Sequence, residues 1–259
     1  MSLSAAELLI LLPAFVAGLP VTATHVPLGM RVLARGIVFV DLAIAQIAGC
    51  GVLLADQLGF EPQDAAVQVA ALAAALAGAL LLTLTERLWP DVQEAVIGVT
   101  FVLGATGSVL LLAGNVHGSE HLRDLLVGQI LWAQPSRLAW AGAAYAGILG
   151  LWFGARERIG QTGFYILFAV AVTVSVQLVG LYLVFATLIV PPLATRRMTR
   201  RRLPVSWALG LAGYAIGLVG STALDLPSGP VIVWVMVALA LCWHAIAGGD
   251  ATTRTPRSP

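Results

Sequence analysis

The sequence contains no lysine, and all fourteen of its basic residues are arginine. Charged residues of either sign make up only 10% of the 259 residues, whereas a soluble domain carries about a quarter. Hydrophobic residues account for 59% of the chain. This composition excludes an ordinary soluble domain and is typical of a protein that crosses a membrane several times. The all-arginine usage is a weak indication of a bacterial source with a GC-rich genome.

Cysteine is also scarce. The two cysteines, Cys50 and Cys242, lie far apart in apolar segments, and no C-x-x-C pair occurs. A disulfide framework or a thiolate zinc site is therefore not expected. The chain also lacks a nucleotide-binding P-loop and a G-x-G-x-x-G motif, so ATP would have to bind to a partner subunit.

Long charge-free runs dominate what is present. Each is about as long as the roughly 20 residues that cross a bilayer. They predict nine spans, near residues 6–24, 36–55, 65–85, 94–114, 137–154, 163–179, 181–195, 205–223 and 229–247. We interpret the N-terminal MSLSAAELL as the start of the first span, because it has neither a basic region nor a signal-peptide cleavage motif.

Arginine clusters test this assignment, because basic residues concentrate in cytoplasmic loops. Alternate loops carry them, and the largest cluster lies at 196–202. That cluster becomes cytoplasmic only if the run from Phe164 to Ala194 is two passes broken near Gly180. The prediction is an all-α transmembrane bundle of about 8–9 spans with a periplasmic N-terminus, the lower number applying if one short segment is re-entrant. Residues 1–250 are predicted to form one domain, and residues 251–259 are predicted to form a short disordered cytoplasmic tail.

Two connections are predicted to be more than turns. The amphipathic stretch at 25–36 is expected at the cytoplasmic interface, with Pro27 and Gly29 ending the first helix and His25 anchoring it. The long connection at 115–137 has room for a short surface helix.

Asp41 is the only acidic residue well inside a predicted span. A carboxylate at membrane depth costs about 2.5–3.5 kcal/mol, so it marks either a transport pathway or a charge pair. On a helix it shares a face with Ile37, Ile44, Ala45 and Ala48. The alternative is that an arginine of a neighbouring loop neutralises it.

Three glutamines also lie in apolar spans. Gln46 points about 140° away from Asp41, toward the side of Cys50. We expect it to bond a neighbouring helix rather than bind substrate. Gln68 and Gln177 are interpreted in the same way, although Gln46 and Gln177 stay candidates for the substrate pathway.

The segment HGSEHLRD, residues 117–124, is a second candidate site. His117 and His121 are four residues apart and would share a helix face beside Glu120. Imidazole and carboxylate groups at this spacing can bind zinc or another transition metal. A solvated external loop or a docking surface is the alternative.

Three stretches resemble the ABC-3 family, the membrane subunits of bacterial zinc, manganese and iron ABC importers. They are PLGMRVLARGIVFVDLAIAQIAGCG, EAVIGVTFVLGATGSVLLLAG, and SVQLVGLYLVFATLIVPPLATR followed by LDLPSGPVIV. They follow the family's order over most of residues 26–235.

The resemblance implies a homodimeric pore in the bacterial inner membrane, without catalytic activity or a permanently bound cofactor. A cytoplasmic ATPase subunit would bind ATP, and a periplasmic binding protein would deliver the metal; no nucleic-acid partner is expected. Family members carry an aspartate and, four residues later, a histidine as metal ligands on the second helix. Asp41 matches that aspartate, but Ala45 occupies the histidine position.

The family's coupling segment, which contacts the ATPase, also differs in this chain. Only ARERIGQTG, residues 155–163, occupies its place, and the usual acidic-proline start is absent. The resemblance assigns the coupling contact to Arg156, Glu157 and Arg158.

The favoured function is the permease subunit of an ABC importer for a divalent transition metal, zinc or manganese. One alternative is a permease for a non-metal or chelated substrate, which the missing histidine would permit. A second is a secondary transporter in which Asp41 carries a proton, and a third is a membrane scaffold without transport.

Overall fold

The computed structural model of the chain describes residues 5–61, 64–112, 130, 135–155 and 158–252. Within these ranges the chain is all-α. Nine helices follow one another: α1 (Ala5–Arg35), α2 (Val40–Gln57), α3 (Ala65–Leu88), α4 (Gln93–Leu112), α5 (Pro135–Gly154), α6 (Gln161–Val179), α7 (Leu181–Ala194), α8 (Arg202–Leu224) and α9 (Ser228–Thr252). A short 3-10 turn, Pro90–Val92, precedes α4.

Seven of these helices are long and apolar enough to cross a membrane. The other two are apolar as well: α5, whose apolar part covers Leu138–Gly154, and the 14-residue α7. The predicted all-α transmembrane bundle of about 8–9 spans is therefore confirmed. Because α9 continues to Thr252, most of the tail predicted at 251–259 lies outside the described residues and stays a prediction.

The predicted break near Gly180 is confirmed. α6 ends at Val179 and α7 begins at Leu181, and Gly180 between them has φ 81° and ψ 160°. A side chain would clash with the backbone at such a positive φ, which glycine adopts without penalty. A single glycine therefore divides the 31-residue apolar run into two helices.

The short helix α7 lies inside the bundle. At about 1.5 Å per residue its 14 residues span about 21 Å, less than the hydrocarbon core of about 30 Å. It packs against α1, α2, α6, α8 and α9, and Leu183, Val184 and Leu188 are fully buried. Protein therefore surrounds the middle of α7, whereas Tyr182 and Leu193 near its two ends are 49% and 41% exposed.

The predicted break of the first helix at Pro27 and Gly29 is wrong. α1 is one continuous helix of 31 residues with Pro27 inside it, and His25 and Leu28 are buried in the bundle. The placement of residues 25–36 at the cytoplasmic interface stays a prediction. A proline inside a helix frees the carbonyl four residues earlier, here that of Ala23. The Trp207 indole Nε1 of α8 donates a hydrogen bond to this oxygen at 3.3 Å. A neighbouring helix thus replaces the lost bond, and α1 continues.

A proline inside α7 also frees a backbone carbonyl, and a glycine of α1 lies against it. Pro192 frees the carbonyl of Leu188, and this oxygen faces Gly29 of α1 so closely that a Cβ there would overlap it. The Gly29 Cα–H therefore points at the freed oxygen, a weak contact typical of close helix pairs. Gly29 lets the two backbones touch directly.

The basic ends of three helical hairpins meet at one end of the bundle. The guanidinium carbons of Arg31 and Arg35 lie 5.4 and 4.8 Å from the ring centroid of Phe164, near the start of α6. Arg87, at the end of α3, donates to the Thr162 hydroxyl at 2.9 Å. We call this the basic end, and it agrees with the alternation that the arginines predicted.

Replacing Gly29 by alanine should destabilise the protein by about 1–3 kcal/mol, the usual cost of overpacking. Alanine normally favours a helix over glycine, so a loss would come from the overlap with the Leu188 carbonyl. Gly147→Ala is the control, because a Cβ at Gly147 meets nothing within 4 Å. Thermal unfolding in detergent compares them, and equal midpoints would contradict the close contact.

Candidate functional site

Asp41 lies in the first turn of α2, at the basic end of the bundle, and its side chain is fully buried. The chain reaches this position through a turn at residues 36–39, where Gly36 has φ 73°. The first turn of a helix is its electropositive end, which favours a carboxylate by about 0.3–1 kcal/mol. The placement lowers the free-energy cost of the buried group but does not remove it.

No side chain among the described residues donates a hydrogen bond to either carboxylate oxygen of Asp41, and only the backbone amides of Asp41 and Leu42 lie beside the carboxylate, without forming a hydrogen bond of good geometry. In that part of the chain, no arginine pairs with it either. A buried carboxylate without a donor is costly, because its desolvation is not compensated. The lone pairs of the carboxylate oxygens therefore remain available to a ligand.

The side chains predicted to share the face of Asp41 are all buried. Ile37, Ile44, Ala45 and Ala48 are at most 5% exposed. This face therefore points into the bundle. One turn beyond the carboxylate, Ala45 contributes only a methyl group and no metal ligand.

Gln46 points toward α4, as the predicted 140° offset requires. A Cβ at Gly104 would lie 2.9 Å from the Gln46 Cβ, so the two helices approach closely here. The hydrogen bonds of this contact come from Cys50, whose thiol donates to the Gly104 carbonyl at 3.2 Å and lies 3.3 Å from the Ser108 hydroxyl. Gln46 packs at this interface without a described bond of its own.

Gln68 and Gln177 line one cavity between α3, α5 and α6. Neither amide forms a hydrogen bond within the described residues, so the predicted helix-to-helix bonding is not seen there. Gln68 follows the start of α3 and Gln177 precedes the end of α6, which are the ends opposite the arginines. The structure thus does not bring the pathway candidate Gln177 together with Asp41.

His25 is a buried polar residue that the sequence analysis placed at the interface. Its side chain is fully buried, and Nδ1 donates to the Val21 carbonyl at 3.0 Å. Nε2 has no partner in the described part of the chain. His25 precedes the end of α1 by ten residues, about 15 Å along the helix, and so lies at a different depth from Asp41. The sequence analysis missed this burial because Pro27 predicted that the helix ends here.

Gln93 connects three helices at the basic end. Its Nε2 donates to the Leu82 carbonyl at 3.0 Å and lies 3.5 Å from the Tyr165 hydroxyl, while its Oε1 accepts from the Thr85 hydroxyl at 3.1 Å. Tyr165 also bonds the Glu86 carboxyl group. No periodic pattern in the sequence indicates this network, because its members come from α3, α4 and α6.

The predicted coupling residues lie between α5 and α6. Arg158 is exposed, and its backbone amide donates to the Ala155 carbonyl at 2.8 Å. Arg156 and Glu157 lie outside the described residues, as do His117, Glu120 and His121. Within the described ranges no group of three His, Cys, Asp or Glu side chains is placed to hold a metal ion.

Comparison with known families matches this architecture. The model of the ABC 3 transport family matches residues 7–157 and 153–247. The chain belongs to the ABC 3 transport family. It is therefore a multi-pass membrane component of a transporter, and the resemblance seen in its motifs is confirmed. A comparison with curated protein sequences finds no match.

Two solved structures share the fold. PsaBC from Streptococcus pneumoniae, determined in complex with Fab, is 20% identical to the chain, with a TM-score of 0.70 over 90% of this chain and 89% of that one. A metal-chelate type ABC transporter in an inward-facing conformation is 14% identical, with a TM-score of 0.62 over 94% and 86% of the two chains. At these identities the likeness shows the fold alone.

Asp41→Ala should raise the free energy of unfolding by about 1–3 kcal/mol, because it removes a buried polar group that lacks partners. Asp56→Ala is the matched control, since Asp56 lies half-buried near the other end of the same helix. Thermal unfolding of the detergent-solubilised protein measures both. A lower midpoint for Asp41→Ala would show that the carboxylate has a stabilising partner.

Proposed function

We propose that the chain is the membrane-spanning permease subunit of an ABC importer for a divalent transition-metal ion, zinc or manganese, in a bacterial inner membrane. The observation that carries this proposal is Asp41: a fully buried carboxylate, at membrane depth, with no described partner. Burying an unpaired charge in a membrane costs free energy, so such a residue usually has a functional role. The ion passing through the bundle is the partner that the carboxylate lacks.

A separate ATPase subunit would supply the energy, and its contact surface is the basic end. Arg87, Arg158, Arg196 and Arg197 are exposed there, and Arg156 and Glu157 belong to the same connection as Arg158. The Arg87–Thr162 bond and the stacking of Arg35 on Phe164 hold the start of α6, which follows this connection, against α3 and α1. A second copy of the chain would complete the pore, and a periplasmic metal-binding protein would deliver the ion, with His117, Glu120 and His121 on its side.

A chelated or non-metal substrate is the second candidate. Two observations favour it: Ala45 supplies no ligand beside Asp41, and one structure with this fold is described as a metal-chelate type ABC transporter. A bare ion needs several ligands from the protein, whereas a chelated ion brings most of its own.

In cells that express the complete transporter, Asp41→Ala should lower uptake of zinc or manganese about tenfold, as a loss of about 1.4 kcal/mol at the rate-limiting step would. Asp56→Ala should leave uptake unchanged. Competition among zinc, manganese and iron identifies the preferred ion.

Undiminished uptake by Asp41→Ala would disprove the ligand role of Asp41. Uptake that continues after ATP depletion but stops when the proton gradient collapses would instead identify a secondary transporter. If no ion accumulates in a protein-dependent manner, a chelated or non-metal cargo or a scaffold without transport replaces the metal proposal.

Ala45→His distinguishes a bare ion from a chelate. The new imidazole would lie one turn from Asp41 on the same face, a spacing at which two side chains can bind one ion. We expect zinc to bind the purified variant at least about tenfold more tightly, equivalent to about 1.4 kcal/mol. Ala43→His is the control, because Ala43 is equally buried on the opposite side of α2. Equal affinities for both variants would argue against a metal position at this face.

A further inference from the structure

A cavity of about 450 Å³ lies between α3, α5 and α6. Its floor is α6, where Thr173 and Val174 are at most 5% exposed. Its rim carries Val69 of α3 and Trp140 of α5, which are 65% and 56% exposed. The cavity therefore opens sideways, between two helices that face the surroundings of the bundle.

The cavity occupies half of the membrane thickness. On α6 its lining runs from Val170 to Leu178, about 12 Å, and on α3 from Ala65 to Leu72, about 10 Å. Both stretches lie at the end of the bundle opposite the arginines. One leaflet contributes about 15 Å of hydrocarbon, so the cavity matches a single leaflet in depth.

Three polar groups face this cavity without a partner in the described residues. Gln68 and Gln177 have free amides near its outer end. The Thr173 hydroxyl is buried and also lacks a hydrogen bond. Threonines in other helices, such as Thr83 and Thr187, instead donate to the carbonyl four residues earlier, at 2.7 Å. The donors at this cavity are thus left open for a ligand.

The described lining favours a ligand without net charge. Among the described residues it contains no carboxylate, imidazole, thiol or arginine, so these side chains neither coordinate a divalent cation nor neutralise an anion. Its remaining residues are aliphatic or small, apart from Trp140. A ligand that fits is long, apolar along most of its length, and carries neutral hydrogen-bond acceptors at its outer end.

We propose that this cavity binds one acyl chain of a membrane phospholipid from the leaflet opposite the basic end. The chain fills the apolar part of the cavity, and the amides of Gln68 and Gln177 donate to its ester carbonyl. Tryptophan is enriched at the depth of the lipid headgroups, and Trp140 lies at the rim where the headgroup leaves the cavity. This site is distinct from the transport pathway at Asp41.

Native mass spectrometry tests the proposal on the full chain, reconstituted in an equimolar mixture of phosphatidylethanolamine and phosphatidylglycerol and then released into detergent. We expect the wild-type chain to retain one phospholipid. Ala144→Trp, which fills the cavity, should abolish retention. Ala143→Trp is the matched control, because Ala143 is the exposed neighbour on the same helix and lies outside the lining. Equal retention by the two variants would overturn the proposal.

The double variant Gln68→Leu and Gln177→Leu keeps the cavity apolar and its volume similar. It therefore tests the proposal even if the tryptophan variants do not fold. Each lost hydrogen bond should speed lipid dissociation about five-fold, or about 25-fold for both. An unchanged rate of lipid dissociation would show that the cavity takes up lipid or detergent without hydrogen bonds from the two glutamines, and would overturn the proposal.

A second copy of the chain is the competing occupant. Val69→Cys, in a chain with Cys50→Ala and Cys242→Ala, tests it in membranes with a bifunctional maleimide. We expect no cross-linked dimer through this position. Efficient cross-linking would show that a second copy of the chain covers the cavity, and would likewise overturn the proposal of a lipid site.

Discussion

Backbone carbonyls that proline frees inside the helices constrain how this bundle packs. Proline residues inside α1 and α7 remove the internal hydrogen bonds that a spanning helix normally provides. The freed Ala23 oxygen is bonded by the Trp207 indole, and the freed Leu188 oxygen faces the Gly29 Cα. These two contacts join α1 to α8 and α7, and they place the short α7 in the interior.

The polar groups divide between the two ends of the bundle. At the basic end, Asp41 lies fully buried at the electropositive start of α2, and the nearby cations rest on the aromatic ring of Phe164. At the other end, Gln68 and Gln177 face an apolar cavity. A charged cargo and a neutral lipid tail need opposite surroundings, and the chain provides each at a different depth.

Residue order predicted the features that depend on local physics. The arginine pattern and Gly180 gave the division of α6 from α7, and helical spacing gave the separate faces of Asp41 and Gln46. It could not give the burial of His25, because a proline at 27 normally ends a helix and only a tryptophan 180 residues later restores the lost bond. The Gln93 network and the shared cavity of Gln68 and Gln177 could not be predicted from the sequence for the same reason. Their partners come from distant helices and leave no local period.

The contact of Gly29 with Leu188 also has a mechanical consequence. Two helices that touch backbone to backbone have no side chains between them that could change rotamer to accommodate sliding or rotation. Any rotation of α7 against α1 would press a Cα–H into a carbonyl on one side and open a void on the other. Rotation of α7 against α1 is therefore resisted at this contact, and movement between helices is easier at interfaces with longer side chains, where repacking is possible.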